Sequence, residues 1–436
     1  MANRVRPRRA SSIARLSPRV SRRRDAKSGR REMTIAGGDA DASAMQFFYF
    51  HLMPWPYLPR DFDRAYDSAW VTLPNRLYDP KRGHQLYNEY LDELEHAERI
   101  GFDGLCVNEH HQNAYGTMPS PNLMAAALAR RTSRAKLAII GNAIGLRDHP
   151  LRVAEEIAML DVLSGGRIIS GFVRGIGCEH LSLGVNPSYS RERFYEAHDL
   201  ILRAWRDPGP FTFEGKHYQV RYANIWPRPL QQPHPPVWLP SQGSPETIAF
   251  GARHRYPFVS VFTPYANAKR LLTEYREEAE RLGYRAAPSQ LGFAVPTYVA
   301  SSDARARSEV KPHLLWLFRR GLKIPPHFLA PPGYLSEDTL RRFLLAGVRA
   351  PGELSFEQLE REGYVLVGSP RTVRDRLAEI QKDLGIGVFV GGGRIGNMSH
   401  DKAVRSAELF AREVIPHFRQ HTARTAAPRR GAGARR

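Results

Sequence analysis

The sequence predicts an α/β protein, a (β/α)8 barrel with an insertion after the seventh strand. Three observations carry that expectation. From Gln46 onward, short apolar runs alternate with longer amphipathic ones. Eight of these runs read as strands, each eventually followed by a helical segment. Strands joined by helical crossovers pair in parallel, and a count of eight favours a closed barrel over an open doubly wound sheet.

QFFYFHL is the first strand, followed by YNEYLDELEHAERIGF with Tyr87, Leu91, Leu94 and Ala97 at helical spacing. FDGLCVN and the helix PNLMAAALARRT form the second unit, KLAIIGNAI and PLRVAEEIAMLDVLS the third, GRIISGFV and RERFYEAHDLILRAW the fourth. PPVWLPSQ with SPETIAFGARH and PFVSVF with ANAKRLLTEYREEAERLG follow. The seventh strand, QLGFAVPTYVA, is separated from its helix SPRTVRDRLAEIQKDLG by residues 300–365, and IGVFVGG with HDKAVRSAELFAREVIPHF closes the series. Residues 207–236 read as a hairpin or excursion after the fourth helix. Both interruptions are expected at strand ends, shaping a pocket.

The net charge of +20 invites a nucleic-acid reading, but its placement argues otherwise. Residues 1–32 hold twelve Lys/Arg against two acids, and residues 419–436 hold six Arg and no acid. The remainder carries about +4, which is unexceptional and predicts no specific nucleic-acid partner. Both tails are poor in apolar residues, so 1–44 reads as a basic, disordered extension, 45–418 as the barrel domain and 419–436 as a basic, disordered tail. The arginine pairs of SRRRDAKSGRREM precede no apolar core, which excludes a twin-arginine export signal. No run of about 18 uncharged apolar residues is present, so no membrane span is expected. Two cysteines, Cys106 and Cys178, without a CxxC partner fit a reducing, cytoplasmic setting better than a disulfide scaffold.

In such a barrel the loops leaving the C-terminal strand ends build the site. NEHHQN leaves the second strand, IGLRDHP the third, VRGIGCEH the fourth and SQGSPET the fifth. Glu109–His110–His111 by itself fits a metal site, an acid–base site or surface chemistry. A metal needs three or four ligands, and no HxH or second acid–histidine cluster completes a set. An acid–base role needs only one imidazole reaching a cavity. Arg174, between Gly171 and Gly175, can grip a phosphate bidentately. Ser244, Pro245 and Thr247 mark a helix start whose N–H groups and hydroxyls make an anion site, although Ser244 also reads as a plain cap. Asp148–His149–Pro150 reads as another helix start with a structural role.

At GFDGLCVNEHHQNAYG, AIGLRDHPLRVAEEIAMLDVLSGGRIISGFVRG, GSPETIAFGA and GSPRTVRDRL with VFVGGG, the chain resembles the luciferase-like family of flavin-dependent monooxygenases. These segments keep the family's order over residues 46–416. The resemblance implies reduced FMN as co-substrate, usually delivered by a separate flavin reductase, with dioxygen activated on the flavin and one atom inserted into a small organic substrate. It also implies a homodimer. By motif, His110 falls on the active-site histidine, Arg174 on the phosphate-binding arginine, and Ser244 and Thr247 on the hydroxyl phosphate ligands. Asn142 falls where the third strand touches the flavin ring, often beside an unusual cis peptide. Gly243 stands where some members carry a glutamate, and Val173 where a luciferase carries a reactive cysteine.

A reduced flavin is an anion whose reaction with oxygen is spoiled by water, so an enclosed site is expected. Trp55 and Tyr57 offer apolar cover from the first strand's loop, and HLLWLF and IPPHFL close from the insertion. His51, Tyr115 and Arg147 are further candidates for the pocket wall. The rival readings are a deazaflavin-dependent oxidoreductase on the same barrel, a non-catalytic flavin-binding protein and a metal-dependent hydrolase.

Overall fold

The computed structural model describes residues 44–345 and 350–419, so the sequence-derived extension and most of the C-terminal tail lie outside the described residues. Twelve strands occur among them: β1 (Gln46–Phe50), β2 (Gly104–Val107), β3 (Lys136–Ala143), β4 (Ile168–Val173), β5 (Phe211–Glu214), β6 (Gln219–Ala223), β7 (Val237–Ser241), β8 (Phe258–Val261), β9 (Leu291–Ala294), β10 (Thr297–Val299), β11 (Leu366–Gly368) and β12 (Val388–Gly391). Eight of them close into a parallel barrel in the order β1-β12-β9-β8-β7-β4-β3-β2. All eight candidate strands therefore lie in the barrel, in chain order around it.

Short strands buried on both faces explain the near-continuous apolar runs. Phe48, Cys106, Ile140, Ile169, Trp238 and Val390 fill the interior as one cluster. Their neighbours Phe47, Leu105, Ile139, Ile168, Leu239 and Phe389 face the helices. The helices begin and end where their sequences signal it. Asp79 and Ser369 cap helices whose first residues are Pro80 and Pro370, and Gly101, Gly165 and Gly385 end helices in the left-handed conformation.

The two interruptions behave differently from simple loops. β5 and β6 form an antiparallel hairpin. Its tip lies on the first turns of the helix Ser190–Arg206, where the Lys216 and His217 N–H groups donate to Glu196. The seventh strand is a correction to the sequence reading: it is two pieces. β9 stays in the barrel, whereas β10 leaves it and pairs in parallel with β11 from the far end of the insertion. Pro296 lies at the break and has no N–H for the ladder. Its carbonyl instead accepts from Leu366. Between β10 and β11 run the helix Asp303–Trp316, a π-helical turn Leu317–Gly321, and the helices Pro326–Leu329, Glu337–Leu345 and Phe356–Arg361.

Behind β1 the strand is bolted to its flanking helices by charge. Glu93, with a fully buried side chain, bonds His51 Nε2 at 2.9 Å and His400 Nδ1 at 2.9 Å, and accepts from Arg394 Nε at 3.0 Å. His51 Nδ1 accepts from the Met53 N–H, so its ring is fully committed here and does not line a pocket. Burial alone would push the Glu93 carboxyl up. The hydrogen bonds from His400 and His51 and the Arg394 charge overcome this and draw it down to about 2. A carboxyl depressed in the folded state stabilises the protein above its unfolded value, and that stability is lost as pH falls through the folded one. Urea midpoints of the native protein are therefore expected to fall between pH 4.5 and about 2. Glu93→Gln should flatten that limb and cost about 3 kcal/mol at neutral pH by leaving Arg394 short of its buried partner. A pH-independent difference between the two proteins would contradict this.

Candidate active site

β2 ends at Val107, and the chain then runs irregularly to the helix Pro121–Arg131. Adjacent side chains on extended backbone leave on opposite sides, which separates the two histidines of the EHH element. His111 Nε2 bonds Glu109 Oε1 at 2.8 Å. The other Glu109 oxygen accepts from Arg147 Nη2 at 2.7 Å, from Asn142 Nδ2 at 3.3 Å and from the Ala143 N–H at 3.3 Å. This buried group clamps the loops after β2 and β3 together. His110 turns the other way. Its Nδ1 lies 3.2 Å from Glu179 Oε1, and its ring meets Trp70 and Tyr115 edge-on at 5.1 and 5.3 Å. Its Nε2 carries no hydrogen bond among the described residues.

Glu179 belongs to the short helix Gly177–Ser182 after β4. Its side chain is 1% exposed and also accepts the N–H groups of His111 at 3.0 Å and Ile176 at 2.8 Å. Burial opposes its charge, but the His110 ring and the two backbone donors hold its carboxyl below the usual carboxylate range. The sequence reading passed over this residue. Its only signal was an acid in GCEH, on a loop already marked as leaving the fourth strand.

Cover over His110 comes from Trp70, in the irregular segment between β1 and the helix Pro80–Ile100, where no periodicity marks it. Its ring is fully buried and stacks on Tyr115 at 5.3 Å, and its Nε1 donates to the Gly321 carbonyl at 2.9 Å. The Ala69 N–H donates to the Lys323 carbonyl, and Arg320 pairs with Asp63 at 2.6 Å. The loop after β1 is thus fastened to the insertion above the imidazole. The expected cover residues do something else: Trp55 is buried against Tyr57 and Tyr78, and Tyr57 is exposed.

Arg174 leaves the end of β4, and Ser244 stands beyond the end of β7, the strand paired with it. Arg174 Nη1 donates to the Tyr334 carbonyl at 2.8 Å and to Ser190 Oγ at 3.4 Å, and its guanidinium lies 4.0 Å from the centre of the Tyr334 ring. Only its Nη1 makes hydrogen bonds of ordinary geometry to other residues among those described, the Tyr334 side chain being its other neighbour. Gly175 follows at φ +88°, and its carbonyl accepts from the Tyr334 hydroxyl at 2.5 Å. Arg191, next to Ser190, pairs at 3.3 Å with Glu246 in the first turn of the helix Pro245–His254, and Ser336 helps to hold that carboxyl below the usual carboxylate range against the cost of burial. The guanidinium and that helix start are therefore held against the same two segments.

Ser244 does cap the helix: its Oγ accepts the Thr247 N–H at 3.3 Å and lies 3.0 Å from Thr247 Oγ1. Gly243 sits at φ +85°, where a Cβ would come 2.2 Å from a Leu271 methyl, so this backbone has no room for the glutamate some relatives place there. Asn142 is fully buried at the bulge of β3, beside a cis Ile140–Gly141 peptide. It joins Glu109 and Asn122 rather than His110, and its Oδ1 has no partner, like that of buried Asn108 at the end of β2. Among the described residues no group of three or more His, Cys, Asp or Glu side chains is placed to hold a metal, and no helix is long and apolar enough to cross a membrane.

The profile of luciferase-like monooxygenases matches residues 68–386. The chain belongs to the luciferase-like monooxygenase family. It is 33% identical over 348 residues to the 4-hydroxyprotoasukamycin monooxygenase of Streptomyces nodosus subsp. asukaensis, covering 75% of this chain and 86% of that one. Among solved structures it resembles the oxygenating constituent of 3,6-diketocamphane monooxygenase from Pseudomonas putida in complex with FMN. That likeness has a TM-score of 0.65 and 20% identity over 86% of this chain and 98% of the other. An F420-dependent secondary alcohol dehydrogenase shares the barrel with a TM-score of 0.58 and 17% identity, covering 86% of this chain and 99% of its own. Those two likenesses speak to the fold alone. Luciferase-like monooxygenase chains and F420 enzymes thus share one scaffold, and the cofactor has to be argued from the site.

Trp70→Ala should lower the unfolding free energy by about 3–5 kcal/mol, since it empties a fully buried aromatic site. Trp70→Phe should recover most of that, losing mainly the bond to the Gly321 carbonyl, about 1 kcal/mol. Chemical denaturation of both variants checks the difference, and equal losses would refute the stacking account.

Proposed function

We propose that this chain is the oxygenase component of a flavin-dependent monooxygenase, using reduced FMN and dioxygen on a small organic substrate. The reduced flavin comes from a separate reductase, as the resemblance to flavin-dependent monooxygenases implies. The observation that carries the reading is the pairing of two features at neighbouring strand ends. One is an imidazole with a free Nε2 under an aromatic cover. The other is a guanidinium with free donors beside a capped helix start.

The donor set fits such a cofactor. Arg174 Nε and Nη2, the N–H groups at the start of the helix Pro245–His254, and the Ser244 and Thr247 hydroxyls would hold the phosphate. The partnerless amide oxygens of Asn108 and Asn142 suit the N–H edge of a polar ring. When bound, reduced FMN supplies the electrons that let one atom of dioxygen enter the substrate while the other leaves as water. His110 would hold or accept a proton at Nε2 beside the reacting atoms. Trp70, Tyr115 and the Leu317–Gly321 turn keep water from that nitrogen. Two buried free thiols, Cys106 and Cys178, are consistent with work in the cytoplasm.

Arg174→Ala is expected to weaken anaerobic binding of reduced FMN about 10- to 100-fold, the worth of a charged hydrogen-bond donor. His110→Ala should bind within about 3-fold of native and lose product formation, since the imidazole acts on protons and not on affinity. Unchanged affinity in the first, or unchanged turnover in the second, would remove the assigned role. Titration with reduced F420 in parallel separates the deazaflavin reading: preference for F420 would replace FMN. Binding without turnover on any substrate would indicate a flavin carrier.

We also propose a homodimer. Leu123 on the helix Pro121–Arg131 and Met159, Val162 and Leu163 on the neighbouring helix Leu151–Ser164 are 43–66% exposed and form an apolar face. Light scattering should give a dimer for the native chain and a monomer for Leu123→Lys/Met159→Lys; a native monomer would end the proposal.

A further inference from the structure

The Glu179 carboxylate touches both halves of the site. Oε1 faces His110 Nδ1 at 3.2 Å and accepts the His111 N–H at 3.0 Å, so it grips the loop after β2. Oε2 accepts the Ile176 N–H at 2.8 Å, two residues beyond Arg174 in the loop after β4. No Lys or Arg pairs with Glu179 among the described residues, and its side chain is 1% exposed. Among the described residues the imidazole is the only ionisable side chain hydrogen-bonded to it.

An ionised carboxylate can only accept hydrogen bonds. The proton between Glu179 and His110 therefore resides on Nδ1. A neutral ring so fixed presents its lone pair at Nε2, the nitrogen left without a protein partner beneath Trp70 and Tyr115. Two backbone donors and burial fix the carboxylate itself, so the imidazole is oriented by a group that cannot turn away. A carboxylate that served only to tie two loops would need no imidazole on the same oxygen.

We propose that Glu179 is the positioning residue of this site: it keeps the His110 proton on Nδ1, aims Nε2 at the reacting centre, and couples the imidazole loop to the Arg174 loop. The role in turnover rests on the reading of His110 as the proton carrier. The tautomer does not.

The test begins with native, cofactor-free protein labelled with 15N-histidine, with His110→Gln used to assign the His110 signals. The expected spectrum shows His110 protonated at Nδ1 and unprotonated at Nε2 under mildly basic conditions. Protonation at Nε2 would overturn the proposal without any further variant. Glu179→Gln keeps the shape; with its oxygen on the Ile176 N–H, its amide nitrogen faces Nδ1, where it can donate and invert the tautomer at the cost of the His111 N–H bond. It should therefore shift His110 toward Nε2 protonation and cut turnover about 100-fold or more, while reduced-FMN affinity stays within about 3-fold of native. A Gln variant with native tautomer and native turnover would also overturn the proposal. If that variant fails to fold, Glu179→Asp, which keeps the charge, should retain Nδ1 protonation, and loss of it would count against the assignment. Absence of FMN binding by the native protein would defeat the proposed function and leave the tautomer result standing.

Discussion

Parallel pairing of β1 with β12, from Gln46 opposite Val388 to Tyr49 opposite Gly391, joins the first and last strand–helix units and leaves the main sheet without an edge. Closure also puts every strand's C-terminal end on one rim. The loops after β1, β2, β3, β4 and β7, spread over more than 180 residues of chain, then have to meet. Each contact in the candidate site, from Trp70 on His110 to Arg174 beside the helix start at Pro245, follows from that closure.

On the rim and behind β1 the chain has to hold charge out of water, which is costly unless each charge is paired and hydrogen-bonded. Three buried carboxylates solve this separately. Glu93 fastens β1 to Arg394, His51 and His400 behind the barrel. Glu109 ties the loops after β2 and β3 through His111 and Arg147. Glu179 ties the loops after β2 and β4 through His110. The first two have arginine partners, and the third has only an imidazole and backbone donors. The imidazole proposed to carry the proton thus faces the one of these three carboxylates that has no arginine partner among the described residues.

The insertion shows how the same physics reaches beyond the barrel. Breaking the seventh strand at Pro296 frees β10 to pair with β11, which brings both ends of the excursion back to one place. The π-helical turn can then receive Trp70 Nε1, and Tyr334 can lie on Arg174. The insertion thus covers the arginine directly and fastens the Trp70 cover over the imidazole.

Much of this was legible in the chain. Short apolar runs marked eight strands, because barrel strands are buried on both faces, and period-3.6 patterning marked their helices, because those bury one. Pro245 and Pro370 after Ser244 and Ser369 marked helix starts, because a cap satisfies its own first turn, whereas the first long helix begins at Pro80, ahead of the expected YNEYLDELEHAERIGF. Partnership across the rim was not legible. Nothing local distinguishes Glu179 from any acid on a loop, sends His110 and His111 to different carboxylates, or places Trp70 rather than Trp55 over the ring. Those choices depend on groups 38 to 251 residues apart, such as Glu109 with Arg147 and Trp70 with Gly321. The sequence determined the repeating units and the residue types available on each loop. Only closure of the barrel decided which of them meet, because that distance is set by the sheet and not by the chain.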